Sequence, residues 1–143
     1  MFYPFIYCYD VPVQVLEHPA DIRLRAWGHS LQSVILEVLN YTLSIMYGSE
    51  IENEVMFDFS VEFHDRVNLV PKIVNEAIFQ AESTGTAGRV RRLSICPGKA
   101  TAQYIGERMR EGKQYGSSVV KAATYDRLVV SENPPLVEIT LDI

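Results

Sequence analysis

Hydrophobic positions along the chain repeat at two periods. In DVPVQVLE, residues 10–17, Val11, Val13 and Val15 alternate with other residues, the period-two pattern of a strand. Pro12 marks its start or an exposed edge, because proline cannot donate to a ladder. HPAD (18–21) reads as a turn. IRLRAWG then alternates again, with Ile22, Leu24 and Ala26 on one face and Gly28 closing the run. The period changes after Ser30, a good N-cap. Leu31, Val34, Ile35, Val38, Leu39, Thr42, Leu43 and Met46 follow helical spacing, and Gly48 ends it.

The pattern reverts in VMFDFSVEFH, where Phe57, Phe59, Val61 and Phe63 alternate with polar residues as in a half-buried strand. Asp65 or Asn68 can cap a second helix running to about Ser83, with Pro71 in its first turn. STGTAG reads as a loop. RRLSI, ATAQYI, VVKAATYDRLVV and LVEITLDI read as strands, the last two joined by a turn at Asn133–Pro135. The expected fold is α+β: two helices packed on a largely antiparallel multi-stranded sheet, in a single domain over residues 1–143.

Composition narrows the function. The net charge is −5, from 18 acids and 13 bases, which disfavours holding nucleic acid directly, since phosphate neutralisation supplies most of that affinity. Cys8 and Cys96 are too few for a disulfide framework and lack metal spacing. MFYPFIYCYD has no signal-peptide organisation, and no apolar run nears the roughly 20 residues that span a bilayer. A cytoplasmic or nuclear protein is expected. Phosphate loops, dinucleotide fingerprints, nucleophile elbows and zinc-protease helices are missing, so catalysis by this chain alone is unsupported. RVRRL (Arg89, Arg91, Arg92) reads as a solvated strand face that could meet an acidic partner or RNA backbone.

Three polar residues stand apart on structural elements. Asp21 ends the HPAD turn, Lys121 sits in the VVKAATY strand, and Asp142 projects from the last strand opposite to Val137, Ile139, Leu141 and Ile143. Carboxylates gathered on a rigid sheet suit a hard divalent cation, and a terminal carboxylate or carbonyl at Ile143 could add an oxygen. The lysine could balance charge or contact a phosphate. Each also has a plain structural account: Asp21 as a turn residue, Asp142 as a solvated strand acid, Lys121 as a lysine blunting a sheet edge. His18, His29 and His64 read as turn, loop or packing residues.

HPADIRLRAWG, VKAATY and the terminal LDI together resemble the archease family, and the resemblance runs from the first strand to Ile143. IGE (105–107) and NPP before the last strand are also similar to family segments. The resemblance implies a non-catalytic protein cofactor of a GTP-dependent RtcB-type RNA ligase in tRNA splicing. Such a cofactor promotes guanylylation and multiple turnover. It further implies a divalent metal, calcium first with magnesium and manganese as alternatives, held by Asp21 and Asp142, with Lys121 as a further functional residue. Gln114, Val119 and Asp126 depart from the usual pattern, and whether Asp126 or Glu107 joins the site is left open. A general chaperone or protein-binding module with incidental carboxylates is the competing expectation. Oligomeric state is not readable from the sequence.

Overall fold

The computed structural model describes residues 12–17 and 21–143. Strands β1 (Val13–Glu17) and β2 (Asp21–Trp27) lead into helix α1 (Leu31–Tyr47). Strand β3 (Val55–Glu62) precedes helix α2 (Arg66–Thr84). Strands β4 (Thr86–Cys96), β5 (Lys99–Arg108), β6 (Ala122–Glu132) and β7 (Pro135–Asp142) follow. The strands form two antiparallel sheets, of order β1-β2-β7-β6 and β3-β5-β4. The expected α+β class holds, but the sheet is divided in two.

Both helices explain the division. α1 packs on β1, β2 and β7 of one sheet and on β4 of the other, while α2 packs on β6 and on β3 and β4. A helix facing two sheets must be apolar around most of its circumference. Accordingly Glu37, Asn40, Tyr41 and Thr42 of α1 are buried alongside Leu39 and Leu43. One continuous hydrophobic core includes Leu24, Val38, Ile73, Tyr104, Ile139 and Leu141.

The helix ends follow from their caps. The Ser30 hydroxyl accepts from the Ser33 amide, and the Asp65 carboxylate accepts from the Asn68 amide at 2.8 Å. Asp65, not Asn68, is therefore the cap. Pro71 lies beyond the first turn of α2, further in than the sequence pattern suggested.

STGTAG is not a loop. Ser83 and Thr84 finish α2, Gly85 caps it in the left-handed region at φ 64°, and β4 starts at Thr86. Gly88 then sits opposite Gly106, where a Cβ would come within 2.3 Å of the Ile105 carbonyl oxygen. These glycines permit a close strand approach rather than a loop.

In β4 the alternation breaks between Val90 and Leu93, which are three residues apart yet both buried. A register shift between Val90 and Arg92 turns both inward. The Asn40 side chain of α1 pins the shift, donating to the Val90 carbonyl at 2.9 Å and accepting from its amide at 2.8 Å.

Candidate functional site

Asp21 is the first residue of β2, not part of a turn, and its register partner is Asp142 on β7. Sequence positions 121 residues apart thus meet on adjacent strands. His18, proposed as a turn or packing residue, lies outside the described residues. On its other side Asp142 faces Ala122 of β6. Lys121 immediately precedes β6, rather than lying inside a strand, and is exposed. Its amide donates to the Asp142 carbonyl at 2.7 Å, so all three candidates converge on one end of the four-stranded sheet.

That end is braced from α2. Asn75 accepts from the Ala123 amide at 2.7 Å and donates to the Ala123 carbonyl at 3.1 Å. β6 is an edge strand, and the amide side chain supplies the pairing a further strand would otherwise give. The sequence offered no distance-independent sign of this partner.

Directly opposed residues of an antiparallel pair hold their Cβ atoms about 4.5–5.5 Å apart, and like charges there repel. Asp21 and Asp142 are both half-buried. Among the described residues, none donates to the Asp142 carboxylate. No group of three His, Cys, Asp or Glu able to hold a metal forms among them either. The donor set is thus two carboxylates, with the main chain at Ile143 adjacent. The Asp142 carbonyl itself is occupied by the Lys121 amide. An all-oxygen set of this size fits part of the shell of a hard cation, which completes its coordination with water or ligand oxygens.

Further along the same face the polar groups are closely paired. Arg23, 8% exposed, donates to Thr140 Oγ1 at 2.8 Å, to Glu138 Oε1 at 2.9 Å and to the Arg127 carbonyl at 2.7 Å. Arg25 Nε reaches Glu138 Oε2 at 3.0 Å. Burial would raise the Glu138 carboxyl, but the hydrogen bonds from Arg23 and then Arg25, with their charges, lower it on balance. The Arg127 carbonyl is available because β6 bulges: residues 125–128 face the single residue Ile139, and Arg127 adopts φ 51°. The alternation of IRLRAWG already put both arginines on one face; their cross-strand partner was the missing information.

Neither residue left open joins the aspartate pair. Asp126 is exposed in the β6 bulge and pairs with Arg127 Nε at 3.4 Å. Glu107 belongs to β5 in the other sheet and is fully buried. The Glu52 amide, then Tyr115, Lys113 and Arg110, hold its carboxyl down at about 2 despite burial. Arg91 and Arg92 are exposed on β4, also in the other sheet, while Arg89 donates to Asn53 at 3.0 Å. Cys96 is a free, exposed thiol, and Cys8 lies outside the described residues. No described helix is long and apolar enough to cross a membrane.

This fold and the convergence of Asp21, the VKA segment and the last strand define a known class. Residues 14–143 match the model of the Archease protein family (MTH1598/TM1083). The chain belongs to that family. It is 25% identical over 130 residues to an archease-like protein of Caenorhabditis elegans, covering 85% of this chain and 81% of that one. A Caenorhabditis briggsae archease-like protein is 26% identical over 124 residues, with 83% and 80% covered. Among solved structures, Methanobacterium thermoautotrophicum protein 1598 superposes with a TM-score of 0.76 at 20% identity, over 92% of this chain and 98% of that one. An archease from Thermotoga maritima, described as a possible chaperone, gives 0.63 at 16% identity, over 91% and 96%. At these identities the structural likeness speaks for the fold alone.

Proposed function

We propose that this chain is a non-catalytic protein cofactor of a GTP-dependent RtcB-type RNA ligase in tRNA splicing, acting in the cytoplasm or nucleus. It promotes guanylylation and multiple turnover of that enzyme. The observation that carries the reading is the register of Asp21 against Asp142, with the Lys121 backbone bonded to the same aspartate. Family membership supports it.

On this reading Asp21 and Asp142 hold a divalent ion between opposed carboxylates, and a main-chain oxygen at Ile143 adds a donor. Calcium is the first choice, with magnesium or manganese as alternatives. Such an ion supplies charge for phosphate oxygens during nucleotidyl transfer. Two carboxylates leave coordination positions free, which suits an ion shared with a partner or its nucleotide rather than sealed in this chain. Lys121, exposed beside the pair, offers a point charge to a phosphate or to an acidic group of the ligase. The net charge of −5 favours encounter with a basic, RNA-handling surface without competition for its RNA.

The test is RNA ligation by a cognate RtcB-type ligase with GTP and a divalent ion, comparing this chain with its Asp142→Asn variant. Stimulation that vanishes in the variant is the expected result. Equal stimulation by both would remove Asp142 from the mechanism. No stimulation by the unaltered chain would favour the chaperone role attached to the Thermotoga relative.

A further inference from the structure

We infer that Glu107 is a positioning residue: it fixes the segment joining β5 to β6 and thereby the presentation of Lys121. The functional half of this inference rests on the role proposed above for Lys121. The segment, residues 109–121, contains no helix or strand, so its path must be set by side chains and isolated backbone bonds. One carboxylate gathers most of them.

Glu107 Oε1 accepts from the Glu52 amide at 2.8 Å and from Lys113 Nζ at 3.0 Å. Its Oε2 accepts from Arg110 Nη1 at 2.7 Å, Tyr115 OH at 2.7 Å and Lys113 Nζ at 3.0 Å. Three side chains of the segment thus converge on a group with no solvent exposure. They are cross-linked in turn: the Arg110 amide donates to Tyr115 OH at 3.0 Å, and Lys113 donates to the Glu50 carbonyl at 2.8 Å. Arg110 also pairs with Glu54. Buried charge of this kind is stable only when fully paired, so removing the carboxylate deprives two cations and a hydroxyl of their shared acceptor. Lys113 and Arg110 are left only their outer partners, the Glu50 carbonyl and Glu54.

From Tyr115 onward the chain has little freedom before it reaches the aspartate end. Gly116, at φ 47°, lies so close to the end of α1 that a Cβ there would stand 2.2 Å from the Met46 carbonyl oxygen. The amides of Ser117 and Ser118 both donate to the Ile45 carbonyl, at 2.9 and 3.2 Å. Val120 is completely buried. The next residue is Lys121, whose amide reaches Asp142. The Glu107 cluster sets where this run begins, and the α1 terminus sets where it turns. Lys121 follows from both.

The test uses the full chain and its Glu107→Gln variant, which keeps the side-chain shape and removes the charge. Amide exchange is followed by NMR together with ligase stimulation. In the variant, exchange at Ser117, Ser118 and Lys121 should rise about ten- to hundredfold, while Leu24 and Ile139 of the β2–β7 ladder keep their protection. The concentration needed for half-maximal stimulation should rise about tenfold, with the maximum unchanged. Calcium titration should give the same affinity as for the unaltered chain.

A Lys121 amide that stays protected in Glu107→Gln overturns the inference, whatever the ligase does. Released amides with an unchanged half-maximal concentration overturn it too, while leaving the cofactor role standing. If the unaltered chain does not stimulate, the proposed function fails, and the Lys121 amide alone decides the positioning role. Leu93→Ala, a core truncation on β4, controls for general loss of stability: the same pattern there would also overturn the inference. Should Glu107→Gln fail to fold, Tyr115→Phe removes one donor to the same carboxylate and is read by the same criteria.

Discussion

Glu107 and the Asp21–Asp142 pair are all carboxylates near strand ends, yet their surroundings are opposite. Glu107 has no exposure and accepts from a backbone amide, two cations and a phenol. Asp21 and Asp142 face each other across a ladder, half-exposed, and no described residue donates to the second of them. A carboxylate that is completely paired within its own chain can hold structure but offers nothing to a partner. Two carboxylates set against each other on adjacent strands are placed differently: on the role proposed above, an added cation would offset their mutual repulsion. The difference separates a group that builds the molecule from a pair to which the proposal assigns an ion.

The contrast would break first on Asp142→Asn. Stimulation of the ligase should fall by at least about ten- to hundredfold, the range for losing a group that only supports a metal ligand. Stability in urea should change by no more than about 0.5 kcal/mol, in the direction of a gain, because one of two opposed like charges is removed. A large loss of stability instead would make Asp142 a structural residue like Glu107. Next in size is the response to the ion itself. Calcium at about a hundred times its dissociation constant should stabilise the unaltered chain by about 2.7 kcal/mol, and should leave Asp142→Asn unmoved. Equal stabilisation of both in thermal melts would place calcium elsewhere.

How far these regions were legible in the sequence depends on the range of the interactions. Helix α1 was plain from Ser30 to Gly48 because its caps and its apolar spacing are local. The inward face of β7 was equally plain, since alternation fixes which residues share a side. What alternation cannot give is the neighbouring strand. The division into two sheets, the Asp21–Asp142 register and the Arg23–Glu138 pair all depend on pairings between distant segments. Alternation sets Glu138 and Thr140 on the face opposite Val137 and Ile139, but only the fold brings Arg23 over them. β4 misled for another reason: its register shift breaks the period, and the residue that pins the shift is on α1. Asp21, Lys121 and Asp142 were singled out by residue type and resemblance, and only the topology brings them together.

A smaller effect tests whether the outer face behaves like the Glu107 cluster or like the aspartate pair. Arg23→Met keeps the aliphatic stem but leaves Glu138, Thr140 and the Arg127 carbonyl without their shared donor. Arg25 still reaches Glu138, which limits the loss. The expected cost is about 1.5–3 kcal/mol, the range for hydrogen bonds to a charged group, read from urea unfolding. Calcium affinity should stay as it was. A fall in affinity of similar size would mean that the two halves of this face are coupled.

The smallest effect concerns acid, and it separates the two regions by pH alone. The Glu107 carboxyl is held at about 2 in the fold, against an ordinary value of 4.5. A depressed value means that the folded state binds the proton less readily than the unfolded one. The stabilisation is then complete above about 4.5 and drains away as the pH falls toward 2. Exchange at Ser117 and Ser118, whose amides close the segment onto α1, should accelerate across that window. The Glu107→Gln variant has no such proton to bind, so its exchange should already be fast at pH 6 and should lack the acid-dependent step once intrinsic exchange is corrected. An identical step in both proteins would mean that another carboxylate governs the segment, and the positioning role assigned to Glu107 would fall with it.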